Sequence, residues 1–164
     1  RGTHKVKSEA ELAAAVTDAF KFDEKVILEE AIDGREIEVA VLESKGASVP
    51  GEIKIDPKFE FYDFEAKYLD DATTVVVPAN IKGRQAIQDA AIEAFKALGC
   101  SGLARVDFFY TDDDQIIINE LNTAPGFTST SVYPKLWAAS GLSYAEIITA
   151  LIETAQRRTN SVLN

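Results

Sequence analysis

Apolar positions along the chain change their period several times, and those changes outline its elements. Leu12, Val16, Ala19 and Phe20 recur at helical spacing behind Ser8-Glu9-Ala10-Glu11. With Ser8 as N-cap and Glu11 at the third helical position, this is a capping-box sequence, and it predicts a first helix ending at about Phe20. Val26-Ile27-Leu28 reads as a buried strand. After an Asp33-Gly34 turn, the alternation from Glu36 to Leu42 reads as a second strand, and the two are expected to pair as a hairpin. A turn at Lys45-Gly46 and another at Pro50-Gly51 lead into a short strand, Glu52 to Ile55. From Pro57 to Pro78 no regular period is visible. Four aromatics, Phe59, Phe61, Tyr62 and Phe64, make this stretch too hydrophobic for plain disorder, so it is read as an ordered flap over 57–80.

Ile87, Ala91, Phe95 and Leu98 predict a helix from about Gly83, stopped by Gly99. Strands Leu103 to Tyr110 and Gln115 to Leu121 follow. Beyond a loop from Asn122 to Thr130, helical patterns run from about Tyr133 to Ala139 and from Tyr144 to Arg158, and 159–164 reads as a frayed tail.

Composition narrows the functional classes. At 164 residues and 46% hydrophobic, the chain can bury a core of its own. A net charge of −10 repels phosphate backbones, which argues against nucleic acid and favours small ligands carried with cations. No apolar run approaches the roughly 18 residues of a membrane span, and the charged start Arg1-Gly2-Thr3-His4-Lys5 has no secretory core, so no membrane partner and a cytoplasmic location are expected. Arg1 is not an initiator residue, so the chain is expected to derive from something longer. Cys100 is the only cysteine and His4 the only histidine, which excludes a disulfide framework, a His-based zinc site and a Ser-His triad within this chain. Cys100 is expected to be a small buried hydrophobe.

The chemistry concentrates on the last two strands. Thr111-Asp112-Asp113-Asp114 between them is short enough only for a hairpin. A two-residue turn at Asp113-Asp114 sets Asp107 opposite Glu120 and Arg105 opposite Asn122, all on one face; a three-residue turn would put Asp107 and Glu120 on opposite faces. Two opposed carboxylates repel, so a cation is expected between them. Asp107, Glu120 and the amide oxygen of Asn122 form a hard, oxygen-only set suited to magnesium or manganese, completed by water and phosphate oxygens. The alternative is a solvated edge hairpin in which Arg105 neutralises one acid.

The loop Asn122 to Ser131 begins at this strand and is rich in hydroxyls and turn formers. Taken alone it reads first as plain turn and capping chemistry, but beside the carboxylate hairpin it is read as presenting backbone N–H groups, with Ser131 near a helix start, to an anion. In the flap, Lys67, which precedes Tyr68, can close over phosphates, or it is the ordinary surface lysine that a lone loop lysine normally is. Glu29, Glu30 and Ile32 can meet an adenine through backbone groups and Glu36 can accept from ribose hydroxyls, or these acids are simply exposed. Neither GxxxxGK[ST] nor GxGxxG occurs.

Four blocks in order, Glu29-Glu30-Ala31-Ile32-Asp33-Gly34-Arg35-Glu36, Phe61-Tyr62-Asp63-Phe64-Glu65-Ala66-Lys67-Tyr68, Gly102-Leu103-Ala104-Arg105-Val106-Asp107 and Asn119-Glu120-Leu121-Asn122-Thr123-Ala124-Pro125-Gly126-Phe127-Thr128, resemble the D-alanine–D-alanine ligases of the ATP-grasp superfamily. The resemblance runs from about Lys5 to about Ala155. It implies an α+β fold of the ATP-grasp type, an antiparallel sheet packed against helices in two layers, with the family's N-terminal substrate domain missing. Residues 1–30 would be a remnant of the central subdomain and 31–158 the C-terminal subdomain.

It implies a ligase that phosphorylates one D-alanine carboxylate with ATP and joins a second D-alanine to it, for peptidoglycan synthesis, in an enzyme that is a homodimer at full length. By position, Glu29, Glu30 and Ile32 would contact adenine, Phe61 would pack on it, Glu36 would take the ribose and Lys67 would reach phosphate. Asp107, Glu120 and Asn122 would hold two Mg2+ (or Mn2+) ions. Arg105 and the N–H of Gly126 would stabilise the tetrahedral intermediate, and Ser131 with Val132 would bind the second substrate's carboxylate. The Lys67-Tyr68 pair favours a dipeptide product over an ester. Only the last stretch of the family's Ser/Gly-rich phosphate loop has a counterpart, at Arg1 to Val6, so the chain alone is expected to be inactive. Two other readings stand beside this one: a related ligase with another acceptor such as D-lactate, and a non-catalytic domain that binds a divalent cation.

Overall fold

The computed structural model describes residues 2–55 and 73–158, which form two compact units divided between Ala31 and Ile32. In the first unit, helix α1 spans Glu9–Ala19 behind Ser8. The expected capping box does not form. Ser8 makes no side-chain cap, and the Glu11 carboxylate accepts instead from the backbone N–H of Lys7, one residue too early. Nor is Val26-Ile27-Leu28 a strand: Ile27 and Leu28 are 80% and 67% exposed in irregular chain. The hairpin expected with 36–42 is absent because that strand has other partners on both of its edges.

The second unit is built on an antiparallel sheet. Strands β1 (Arg35–Leu42), β2 (Gly46–Ala47), β3 (Gly51–Ile55), β4 (Thr73–Val76), β5 (Leu103–Tyr110) and β6 (Ile116–Asn122) are ordered β4-β3-β1-β5-β6 among the described residues, with β2 folding back on the end of β1. β4 corrects the reading of 57–78 as wholly irregular. The β-branched run Thr73-Thr74-Val75-Val76 suits a strand, and it pairs with β3 from Glu52↔Val76 to Ile55↔Thr73. Residues 57–72 of the flap and the 159–164 tail lie outside the described residues.

Helices α2 (Arg84–Ala97), α3 (Val132–Ala139) and α4 (Tyr144–Arg157) pack on the sheet. The antiparallel sheet against helices is as expected, but the helices take both faces rather than one. Against one face, α2 sets Ile87, Ala91 and Phe95 on Ile37, Val39 and Val41 of β1 and on Ala104, Val106, Phe108 and Tyr110 of β5. Cys100 packs at the margin of this cluster, half-buried rather than fully buried, and Leu98 is turned out to water.

Against the other face, Tyr133, Leu136 and Trp137 of α3 and Ile147 and Ala150 of α4 cover Ala40 and Leu42. Gly51 allows the close approach of α3, since a Cβ there would sit 2.6 Å from Leu136 Cδ2. The period of two along β1 then places Glu36 and Glu38 on this same face, beyond the apolar end that the helices cover. The capping box that does form is Ser143/Glu146 at the start of α4, a Ser-x-x-Glu sequence that the same rule reads.

On the α2 face, Arg35 binds Glu52 through two hydrogen bonds of 2.9 and 2.6 Å and tops the Tyr110 ring at 5.9 Å. The hydrogen bonds from Arg35 hold the Glu52 carboxyl below its ordinary value of 4.5. A depressed folded value means stability that is present above pH 4.5 and drains away as the pH falls below it. Thermal melting from pH 7 to pH 3 is therefore expected to show a steeper acid loss for the parent than for Glu52→Gln, whose curve starts lower; parallel curves would deny the pair this role.

Candidate functional site: a carboxylate row around Arg105

The hairpin that carries the site reaches the expected pairing by an unexpected route. Near the turn, Tyr110 pairs with Ile116 and Phe108 with Ile118, and Thr111 N–H donates to Gln115 O. The loop is thus three residues, Asp112-Asp113-Asp114, not the two expected. Asp114 takes the left-handed conformation at φ 64°, as the last residue of such a loop commonly does. Its carboxylate accepts from Tyr110 Oη at 2.6 Å and from Lys82 Nζ at 2.9 Å. A bulge at Asn119 then adds one residue to β6, and beyond it Asp107 faces Glu120 and Arg105 faces Asn122. The longer loop and the bulge each shift the register by one and cancel.

β1 extends the row, because Glu38 pairs with Asp107 and Ala40 with Arg105. Three carboxylates therefore stand side by side on three adjacent strands, and the small Ala40 leaves room for the arginine. Arg105 donates from Nε to Asp107 Oδ1 and from Nη2 to Asp107 Oδ2, both at 2.7 Å. Its Nε lies 3.3 Å from Glu38 Oε2 and its Nη2 3.9 Å from Glu120 Oε1. The side chains of Arg105, Asp107 and Glu38 are 15%, 14% and 6% exposed, against 53% for Glu120. Burial works against the arginine's charge, but the hydrogen bonds to Asp107 and the charges of Glu38, Asp107 and Glu120 outweigh it and raise its pKa.

Glu36, Glu38, Asp107, Asn119 and Glu120 line a polar recess of about 220 Å³. It brings the residue expected at the ribose beside two of the three expected metal ligands. Asn122, the third, holds an Asx turn by accepting from Ala124 N–H at 3.0 Å. Sequence reasoning missed Glu38. The signal was available in the alternation Glu36, Glu38, Ala40, but the neighbour of β5 on that side was not known.

The loop after β6 closes on itself. Ser131 Oγ accepts from Thr128 N–H at 3.0 Å and lies 2.8 Å from Thr128 Oγ1, while a Cβ on Gly126 would meet that same Oγ at 3.0 Å. Gly126 and Ser131 are thus neighbours, and Ser131 is the N-cap of α3, with Val132 as its first residue. Phe127 anchors the loop between Tyr133 and Tyr144, with ring centres 5.8 and 5.1 Å away, and its carbonyl accepts from Tyr144 Oη at 2.6 Å. Glu29 and Glu30 are exposed in the first unit, and Ile32 is half-buried at the start of the second. Phe61, Lys67 and Tyr68 lie outside the described residues.

Residues 1–153 match the model of the family described as D-ala D-ala ligase C-terminus. The chain belongs to this family. As a member of the D-Ala–D-Ala ligase C-terminal family it is 56% identical over 162 residues to the D-alanine–D-alanine ligase of Oceanobacillus iheyensis, a match over 96% of this chain and 44% of that one. Among solved structures, the VanG D-Ala:D-Ser ligase of Enterococcus faecalis superposes with a TM-score of 0.80 at 41% identity, over 93% of this chain and 45% of the other. The D-alanine–D-alanine ligase of Bacillus anthracis complexed with ATP does so with a TM-score of 0.76 at 32% identity, over 93% of this chain and 49% of the other. The chain thus spans about half the length of the curated ligases it matches.

Replacing Arg105 by Gln would leave the buried Glu38 and half-buried Asp107 carboxylates without their counter-charge. A loss of about 3–5 kcal/mol in urea unfolding is expected, against little loss for the same change at the exposed Arg84.

Proposed function

We propose that the chain is the nucleotide- and metal-binding part of an ATP-dependent ligase that joins two D-alanines through an acyl phosphate, for peptidoglycan synthesis in the cytoplasm. The observation that carries this reading is the Asp107–Glu120 pair with Arg105 and Asn122 in one cross-strand register, in a chain of this family. The solved relative complexed with ATP supports ATP as the nucleotide.

The donor set fits a magnesium or manganese site. Asp107 and Glu120 are adjacent hard oxygens, and Asn122 stands in the next row. Among the described residues no three or more His, Cys, Asp or Glu side chains form a cage, so water and phosphate oxygens would complete the coordination. When bound, two such ions supply charge neutralisation to the transferring phosphate.

The chain's own residues position the reactants. Glu29, Glu30 and Ile32 hold the adenine, with Phe61 against it, and Glu36 takes the ribose hydroxyls. Lys67 reaches the phosphates from the flap, and the Lys67-Tyr68 pair favours a dipeptide product. Arg105 and the Gly126 N–H face the developing tetrahedral oxyanion, and Ser131 with Val132 binds the carboxylate of the second D-alanine. Residues 1–30 belong to the central subdomain and 31–158 to the C-terminal one, and the complete enzyme is a homodimer. A second reading, ligation of D-alanine to another acceptor, is supported by the likeness to the D-Ala:D-Ser ligase.

Calorimetric titration of the chain with Mg2+ and a non-hydrolysable ATP analogue is expected to show metal-dependent nucleotide binding that Asp107→Asn/Glu120→Gln loses; binding retained by the double variant would move the site elsewhere. In the enzyme completed with the remainder of its length, Glu120→Gln is expected to lose most dipeptide formation while barely lowering the melting temperature. The substitution removes carboxylate repulsion along with a ligand. Melting that drops while turnover persists would make Glu120 structural.

A further inference from the structure

The guanidinium of Arg105 and a divalent cation compete for one carboxylate. Arg105 spends both of its short hydrogen bonds on Asp107, one of the two acids proposed to bind the metal. Cation binding at Asp107 must weaken that bidentate clamp, because an oxygen lone pair given to the ion is lost to the N–H donors. An arginine so released would swing away from the face where the reading above needs it, unless a second anion holds it.

Glu38 is placed to be that anion. It is buried, lies directly across from Asp107 on β1, and brings Oε2 within 3.3 Å of the arginine Nε. It stands on the far side of Asp107 from Glu120, so a cation drawn to the Asp107–Glu120 edge does not need its oxygens. Ala40, opposite Arg105, gives the guanidinium room to slide toward Glu38 without leaving the sheet surface. We infer that Glu38 is a positioning residue that keeps the Arg105 guanidinium fixed over the carboxylate row when a divalent cation takes Asp107. The inference rests on the metal reading of Asp107 and Glu120. It adds a residue whose effect passes through Arg105 and not through contact with metal or substrate.

The test is NMR of the isotope-labelled chain, following the Arg105 Nε–H signal, assigned by its loss in Arg105→Lys, and the Asp107 and Glu120 side-chain carboxyl signals. Each is recorded without and with Mg2+ in the presence of a non-hydrolysable ATP analogue. In the parent, Mg2+ is expected to shift the two carboxyl signals and leave the Arg105 N–H slow to exchange with water. In Glu38→Gln, the same addition is expected to speed that exchange by about tenfold, the size of effect that follows from losing a charged hydrogen-bond partner.

Glu38→Asp keeps the charge but withdraws it by one methylene. It is expected to fall between the two, and it serves if the Gln variant does not fold. Equal exchange in parent and variants with Mg2+ would overturn the inference, as would loosening of Arg105 in the parent, which would mean that Glu38 itself ligates the ion. Carboxyl signals that ignore Mg2+ in the parent would instead overturn the metal reading, and the inference with it.

Discussion

The guanidinium of Arg105 balances charge that the sheet could not otherwise hold. Glu38, Asp107 and Glu120 come from three different strands, and two of them are nearly shut off from water. Carboxylates so placed repel one another and lose hydration, and a well-packed sheet tolerates them only around a fixed cation. A guanidinium suits the task because it stays charged and its planar fork satisfies two oxygens of Asp107 while reaching a second acid. The same requirement polices the register, since a slip of one residue would turn Asp107 into the cluster of Val106, Phe108 and Ile87.

Everything around the row supports that register. On one face α2 packs its apolar stripe on β1 and β5, and on the other α3 and α4 cover only the Ala40–Leu42 end, so the polar end of the same face remains for the recess. Asp114 is held at the turn by Tyr110 and Lys82, and the bulge at Asn119 restores the pairing that the longer loop had displaced. The loop that follows β6 is pinned by Phe127 in its aromatic pair and tied off by Ser131. It therefore leaves β6 as a defined turn rather than a loose connection. Paired strands supply the acids and a braced loop follows directly from β6, so the positions of both are set by the sheet.

Most of the second unit was legible from the chain alone. Alternation marked β1 and β5, helical spacing marked α2, α3 and α4, and the four family blocks pointed to the family that the match over residues 1–153 then established. The errors fall where local pattern meets a competing partner. Ser8 has the capping-box sequence, yet its Glu11 bonds to Lys7, whereas Ser143 and Glu146, equally readable, close the box. Ile27 and Leu28 have strand composition, but composition does not supply a neighbour to bond with, and β1 is already flanked by β3 and β5.

The sequence by itself determined which residues are able to carry charge, which face of each strand they take, and that Asp107 and Glu120 belong to one hairpin. Only the tertiary structure decided that they meet, because a turn of three residues and a bulge of one cancel, and neither is written in the side-chain period. It alone brought Glu38 beside them. Strand order is a property of distant segments competing for the same edge, so no local pattern names the strand that lies next to β5.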